Sequence, residues 1–298
     1  MELTPTQEAL VNVIIPIAVL IIMFSMGLSL RWEDFKRVLT EPRSFLIAML
    51  GQYLLIPGLV ILLSRILNVS PEIALGALIV AAIPGGIISN GFVYMGRGNS
   101  ALSVSLTGIS QIIGLFSIPF WISWGLSTYY AEVANVDFPV GQSLIVIFVI
   151  NVVPMIFGML TLRFAPKFAE RAEPFLRRLS LLMLFTIVVV AVLPNFAVAR
   201  EQGFTVLLMA ILVCGGGMAI GQLVSRGAGL DAKAAFTNGM EIGMQNLSTA
   251  ILIAITILGR SELAIYTAVY SVVSPLIATL AVMIYNRWQK EPEGPVLA

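Results

Sequence analysis

Nine apolar stretches, each about twenty residues or longer, fill most of this chain of 298 residues. They fall at about 9–30, 44–64, 72–95, 101–125, 140–162, 179–198, 204–224, 232–258 and 263–286. A helix that crosses the hydrocarbon core of a bilayer needs roughly 17–25 mainly apolar residues. Backbone in lipid must also satisfy its own hydrogen bonds, which selects helices over isolated strands. The composition agrees: 58% of residues are hydrophobic and 11% charged, where a soluble domain carries about 25% charged residues. The expected fold is therefore an all-α integral membrane protein of about nine transmembrane helices, a single transporter domain over 1–298. The longest connections, 126–139 and 163–178, are short, and the second carries Pro166, Pro174 and five basic residues, as a cytoplasmic surface segment would. The Met1–Leu10 start has no basic region ahead of its apolar run and no small-residue cleavage site after it, so that run is read as a retained span.

Charge orients the spans. Nine crossings put the termini on opposite sides. With the N-terminus outside, the inside segments hold Arg31, Lys36, Arg37, Arg43, Arg97, Arg163, Lys167, Arg171, Arg177, Arg178, Arg226, Lys233, Arg287 and Lys290. The outside segments hold only Arg65, Arg200 and Arg260. Cytoplasmic loops are enriched in Lys and Arg, and one missed helix would invert every later loop. The expectation is a multi-pass cell-membrane protein with its N-terminus outside and its C-terminus cytoplasmic.

Composition also excludes function classes. The chain has no histidine, which removes the usual general base, zinc ligand and proton relay. Asp34, Asp137 and Asp231 all lie in loops or at helix starts, so no intramembrane aspartyl pair exists for an enzyme to use. Cys214 is the single cysteine and lies in an apolar run, where it reads as packing. A net charge of +1 gives no footprint for nucleic acid. No cofactor and no obligate protein partner is expected; the bilayer is the evident partner.

The third and eighth stretches are unusual. The third follows Ser70-Pro71 and the eighth follows Asp231, where Ser and Asp can cap a helix and Pro suits its first turn. Each ends in Gly-Arg, at Gly96-Arg97 and Gly259-Arg260. In the middle of each, glycine meets polar residues: Pro84-Gly85-Gly86-Ile87-Ile88-Ser89-Asn90 in one and Met240-Glu241-Ile242-Gly243-Met244-Gln245-Asn246 in the other. Spans an odd number apart run in opposite directions. This is the pattern of an inverted repeat with one interrupted helix in each half, the best sequence pointer to a transporter site. The halves are unequal, four spans over about 9–125 and five over about 140–288. Glycines can instead serve close helix packing, and for Gly215-Gly216-Gly217 that reading is equally good.

Of the sixteen acidic residues, Glu241 alone lies deep in a span. A charge there costs about 2.5–3.5 kcal/mol on the insertion scale, and no Lys or Arg is predicted at that depth. A bound cation, a proton or a hydrogen-bond network must compensate it. Nearby positions offer oxygens suited to a hard cation: Gln245, Asn246, Ser89 and Asn90 at the breaks, and Ser103 and Thr107 four apart on one helical face. Hydroxyls in membrane helices also bond their own backbone. Gln52 is a stronger sign, because a primary amide in lipid needs a partner.

The strings Glu241-Ile242-Gly243-Met244-Gln245-Asn246, Pro84-Gly85-Gly86 with Ser89-Asn90, Arg97-Gly98-Asn99-Ser100-Ala101-Leu102-Ser103 and Met23-Phe24-Ser25-Met26-Gly27-Leu28 closely resemble the bile acid:sodium symporter family. The resemblance covers nearly the whole chain. It implies two discontinuous helices crossing in a core domain (spans within 44–125 and 204–286) beside a panel domain (spans within 9–30 and 140–198), in a nine-span form that lacks a leading helix. It implies one sodium site at Ser89, Asn90, Ser103, Thr107 and Glu241. A second would use Gln52, Glu241 and Gln245 with the backbone carbonyls of Ile242 and Met244. Substrate would lie near Gly86, Ile87, Asn246 and Ser274. Ile87 stands where related transporters commonly have Thr, and Ser274 where bacterial bile-acid carriers have His. The cation machinery is thus expected intact and the substrate pocket altered.

The implied function is sodium-coupled import of a small organic anion by alternating access, with half-helix N-termini receiving the carboxylate. Pantoate-like acids, keto acids and sterol conjugates all fit. A proton-coupled or sodium-independent organic-acid transporter of the same architecture is the alternative. A channel or a membrane enzyme lacks support in the residues.

Overall fold

The protein is described here from a computed structural model covering residues 5–130, 140–192 and 203–289. The chain runs α1 (Pro5–Gly27), α2 (Trp32–Thr40), α3 (Pro42–Ile66), α4 (Pro71–Ala82), α5 (Ile87–Met95) and α6 (Ser100–Tyr129). It continues with α7 (Val140–Phe164), α8 (Pro166–Val192), α9 (Gly203–Gly227), α10 (Ala232–Gly243), α11 (Leu247–Ile257) and α12 (Ala264–Trp288). No strand occurs among the described residues.

Length and apolarity qualify α3, α6, α7, α9 and the segment ending in α12 to cross a membrane, and the bent pair formed by α1 and α2, at 69°, passes the same test together. The faces they leave open are apolar. Leu46, Leu50 and Leu54 recur every four residues along α3, and Leu181, Leu182 and Phe185 project from α8, all more than half exposed. Contiguous apolar surface of this kind needs lipid or a partner to cover it.

The third and eighth apolar stretches are each two helices, α4 with α5 and α10 with α11, divided at 83–86 and 244–246. Asp231 caps α10 as its position suggests, accepting from Ala234 N–H at 2.7 Å. These broken helices are the interior of the bundle. Every residue from Ile73 to Gly86 and from Ala234 to Ile255 is buried.

The helices differ from the sequence reading in two places. Residues 166–178 are not a loop: they form the first turns of α8, with Pro166 at its start, where the missing N–H costs nothing. The expected sixth span runs on to 198, and its last residues lie outside the described ones, as do 131–139 of the connection after α6. That helix continues to Tyr129, four residues past the expected end. Prolines shape two other helices. Pro57 and Pro154 lack the N–H that an α-helix would use four residues back. Ahead of each, the helix widens into a π-turn, Gly51–Leu55 and Phe148–Val152. The carbonyl of Tyr53, freed by Pro57, accepts instead from the Trp121 indole N–H at 3.0 Å.

Glycine sets how closely α9 meets α10. A methyl at Gly217 would lie 3.2 Å from the Ile242 carbonyl oxygen, and one at Gly221 2.8 Å from the Gly239 Cα. Close packing is therefore the role of Gly217 within the glycine triplet. A methyl at Gly215 would meet nothing closer than 4.0 Å.

Candidate cation site at the helix crossing

The two breaks meet. Asn246 N–H donates to the Pro84 carbonyl at 3.0 Å, and Gly85 and Gln245 form an antiparallel bridge. Polypeptide cannot satisfy its backbone groups where a helix stops inside a bundle, so each break serves the other. Two further side chains complete this. Gln111 Nε2 donates to the Gly85 carbonyl at 3.1 Å, and the Tyr270 hydroxyl donates to the Gly243 carbonyl at 2.7 Å. Gly85 has no room for a side chain: a methyl there would stand 2.9 Å from Glu241 Oε2 and 3.3 Å from the carbonyl oxygens of Glu241 and Met244.

Glu241 lies in the last turn of α10 with 5% of its surface exposed. Ser89, in the first turn of α5, donates to its Oε1 at 2.8 Å. From α6, Ser103 meets Oε1 at 2.5 Å and Thr107 meets Oε2 at 2.9 Å. Asn90 Oδ1 closes the ring, 2.5 Å from the Ser103 hydroxyl and 3.1 Å from that of Thr107. The start of α6 is fixed by Asn99, whose side chain caps Leu102 N–H at 3.0 Å and whose own N–H donates to Thr237 on α10 at 2.9 Å. All five residues predicted for the first sodium site thus lie in one cluster.

Hydrogens are scarce in that cluster. The Ser89, Ser103 and Thr107 hydroxyls make seven oxygen–oxygen contacts of 3.1 Å or less, counting those to the Gly86 and Ser103 carbonyls. Each hydroxyl has one hydrogen to donate. Three hydroxyl hydrogens are shared among these seven contacts, so the carboxylate sits among more oxygens than the hydroxyls can serve singly. Such an arrangement favours a positive charge among the oxygens.

The residues predicted for the second site form a chain of amides. Gln52, on the π-turn of α3, donates to the Ile83 carbonyl at 2.9 Å and to Gln245 Oε1 at 2.8 Å, and Gln245 Nε2 donates to the Ile242 carbonyl at 2.8 Å. The Met244 carbonyl lies against Gly85. Of the positions predicted for substrate, Gly86 packs on Asn246, a methyl there reaching 3.3 Å from its Cα. Asn246 Oδ1 accepts from Ser248 at 2.7 Å. Ile87 begins α5, partly buried. Ser274 is buried on α12, and no hydrogen bond among the described residues joins it to the crossing.

Sequence reasoning passed over Gln111, Asn151, Asn238 and Tyr270. Asn238 donates to the Ser44 carbonyl at 3.1 Å and to Ser225 Oγ at 3.0 Å, tying α10 to α3 and α9 one turn before Glu241. The rule that singled out Gln52, a primary amide in an apolar stretch, applies to the three amides as well.

Fold and centre together define an all-helical, multi-pass membrane protein with an oxygen-rich core where two broken helices cross. The chain belongs to the sodium bile acid symporter family, which residues 16–201 match. It is 28% identical over 273 residues to the uncharacterized sodium-dependent transporter YocS of Bacillus subtilis, covering 91% of this chain and 81% of that protein. It is 27% identical over 272 residues to the probable sodium/metabolite cotransporter BASS1 of Oryza sativa, covering 91% and 66%. It is 25% identical over 294 residues to the human ileal sodium/bile acid cotransporter, covering 95% and 81%. The chain spans just under two thirds of the length of the rice and Arabidopsis BASS1 relatives and about half of that of the rice BASS2 relative.

Proposed function

We propose that the protein is a sodium-coupled symporter that imports a small organic anion across the cell membrane by alternating access. The observation that carries this reading is the donor-poor ring around Glu241. Sodium is a hard cation that binds carboxylate, amide, hydroxyl and carbonyl oxygens. Placed among Ser89, Asn90, Ser103, Thr107 and Glu241, it neutralises the carboxylate and joins α5, α6 and α10. A second sodium takes Gln52, Gln245, Glu241 and the carbonyls of Ile242 and Met244 once the amide chain opens. The names of the relatives, which speak of sodium with bile acid or metabolite, support the cargo classes.

In this account nine spans form an inverted repeat with the N-terminus outside. Helices α1, α7 and α8, which pack on one another, act as a panel, and α3–α6 with α9–α12 act as the core. Sodium couples the two breaks, the anion docks near Gly86, Ile87, Asn246 and Ser274, and core moves against panel. A proton on Glu241 would also relieve the ring, which makes proton coupling the second reading.

Thermal unfolding of the purified protein, screened with organic anions in sodium or potassium chloride, tests this. Sodium is expected to raise the midpoint, and one anion to raise it further only with sodium, since a ligand of the folded state adds apparent stability. Identical midpoints in the two salts would sink sodium coupling.

A further inference from the structure

We propose that Asn151 on α7 is the side chain through which the opposite wall of the site holds the transported anion, by donating a hydrogen bond from its Nδ2. The inference rests on the symport reading above and adds to it a residue from outside the crossing.

Asn151 is 2% exposed. Its Oδ1 accepts from the Thr249 hydroxyl, on the first turn of α11, at 3.0 Å. Its Nδ2 is buried and has no hydrogen-bond partner among the described residues. An amide half-satisfied in this way is costly, because the free N–H groups have given up water and gained nothing. Of the eleven buried polar side-chain atoms without a partner among the described residues, this Nδ2 is the one amide nitrogen, with two hydrogens to place.

The position supplies a reason. Among the described residues, two side-chain hydrogen bonds join α1, α7 and α8 to the rest of the bundle. One is Thr249 to Asn151; the other runs from Asn246 Nδ2 to the Met23 sulfur, a weak acceptor, at 3.9 Å. One leaves the break itself, at Asn246, and the other the first turn of α11. The seam that must part for substrate to enter is thus crossed by polar contacts only beside the crossing, and Asn151 holds the single oxygen acceptor on the far side.

Local structure aims the residue. The π-turn at Phe148–Val152 adds one residue to the helical turn, with Val153 N–H returning to the Phe148 carbonyl five residues back. Such turns are frequent at functional sites, and the corresponding turn on α3 presents Gln52. Each holds a primary amide and precedes a proline. On α7 the amide faces the seam and offers two N–H donors to whatever enters. The chemistry that accepts them is an oxyanion, and a carboxylate is the group the family's cargo names imply.

The test uses full-length protein in liposomes, with charge movement recorded on addition of pyruvate, pantoate and glycocholate, all carboxylates, together in sodium chloride. Thermal stabilisation by sodium alone is read in parallel. Asn151→Asp keeps an acceptor for Thr249 but removes the donor and adds a like charge; Asn151→Gln keeps the donor. The expected result is at least a tenfold rise in half-saturating anion concentration for Asn151→Asp, a change under fivefold for Asn151→Gln, and the wild-type sodium stabilisation in both. Wild-type half-saturation in Asn151→Asp overturns the inference while leaving symport standing. Loss of the sodium effect in Asn151→Asp shows a purely structural role and also overturns it. A wild-type protein that responds to none of the three anions defeats carboxylate symport, and this inference with it.

Discussion

Replacing Thr107 by valine isolates one oxygen of the central ring. Valine keeps the branched shape on α6 and removes only the hydroxyl. In the wild type that hydroxyl lies 2.9 Å from Glu241 Oε2, 3.1 Å from Asn90 Oδ1 and 3.0 Å from the Ser103 carbonyl. Ser89 and Ser103 both contact Oε1, so Oε2 loses its only side-chain hydroxyl. A hydrogen bond to a charged group contributes about 1.5–3 kcal/mol. If sodium draws on the Thr107 oxygen as a ligand to the same extent, its apparent affinity falls about 10- to 100-fold, at 1.4 kcal/mol per decade. The assay is the sodium concentration that gives half-maximal thermal stabilisation of purified protein at constant ionic strength. Thr107→Ser restores the oxygen and is expected to stay near wild type. Wild-type sodium dependence in Thr107→Val would refute the assignment of this oxygen to the cation.

Other perturbations separate the parts of the account. Gln52→Leu breaks the amide chain to Gln245 and Ile83, leaving the first site whole; sodium titration is expected to show one bound ion where the wild type shows two. Gly243→Ala places a methyl 2.9 Å from the Cys214 carbonyl oxygen and 3.0 Å from Met218 N, backbone atoms that cannot step aside. Thermal unfolding should show a loss of about 1–3 kcal/mol, as overpacking does elsewhere. Tyr270→Phe leaves the Gly243 carbonyl without its donor at the edge of the break, at a cost of about 1–3 kcal/mol in the same measurement.

What the sequence revealed and what it hid divide on a physical line. Polar residues in an apolar chain declare themselves, so Glu241, Ser89, Asn90, Ser103 and Thr107 could be gathered before any coordinates, and the structure puts them in contact. The breaks at 83–86 and 244–246 were equally legible, since glycine and proline close to polar residues do not continue a buried helix comfortably. Partners were not legible where the other group is backbone. Nothing in the spacing ties Gln111 to the Gly85 carbonyl or Tyr270 to the Gly243 carbonyl. The π-turns ahead of Pro57 and Pro154 were hidden for a related reason: proline announces a lost hydrogen bond, but tertiary packing decides whether the helix kinks or widens. Charge misled at 166–178, where basic residues marked a surface without excluding a helix.

The central claim is that Glu241 and its ring of hydroxyls hold a sodium ion. Calorimetric titration of sodium chloride into purified protein in choline chloride, for wild type and Glu241→Gln, measures it most directly. Glutamine removes the negative charge and brings two N–H donors to a ring short of hydrogens, so the variant is expected to fold without a cation. The account requires saturable sodium binding by the wild type, no comparable binding of potassium, and none of either ion by Glu241→Gln. Equal sodium binding by the variant, or a wild type that binds neither ion at any pH, would contradict it.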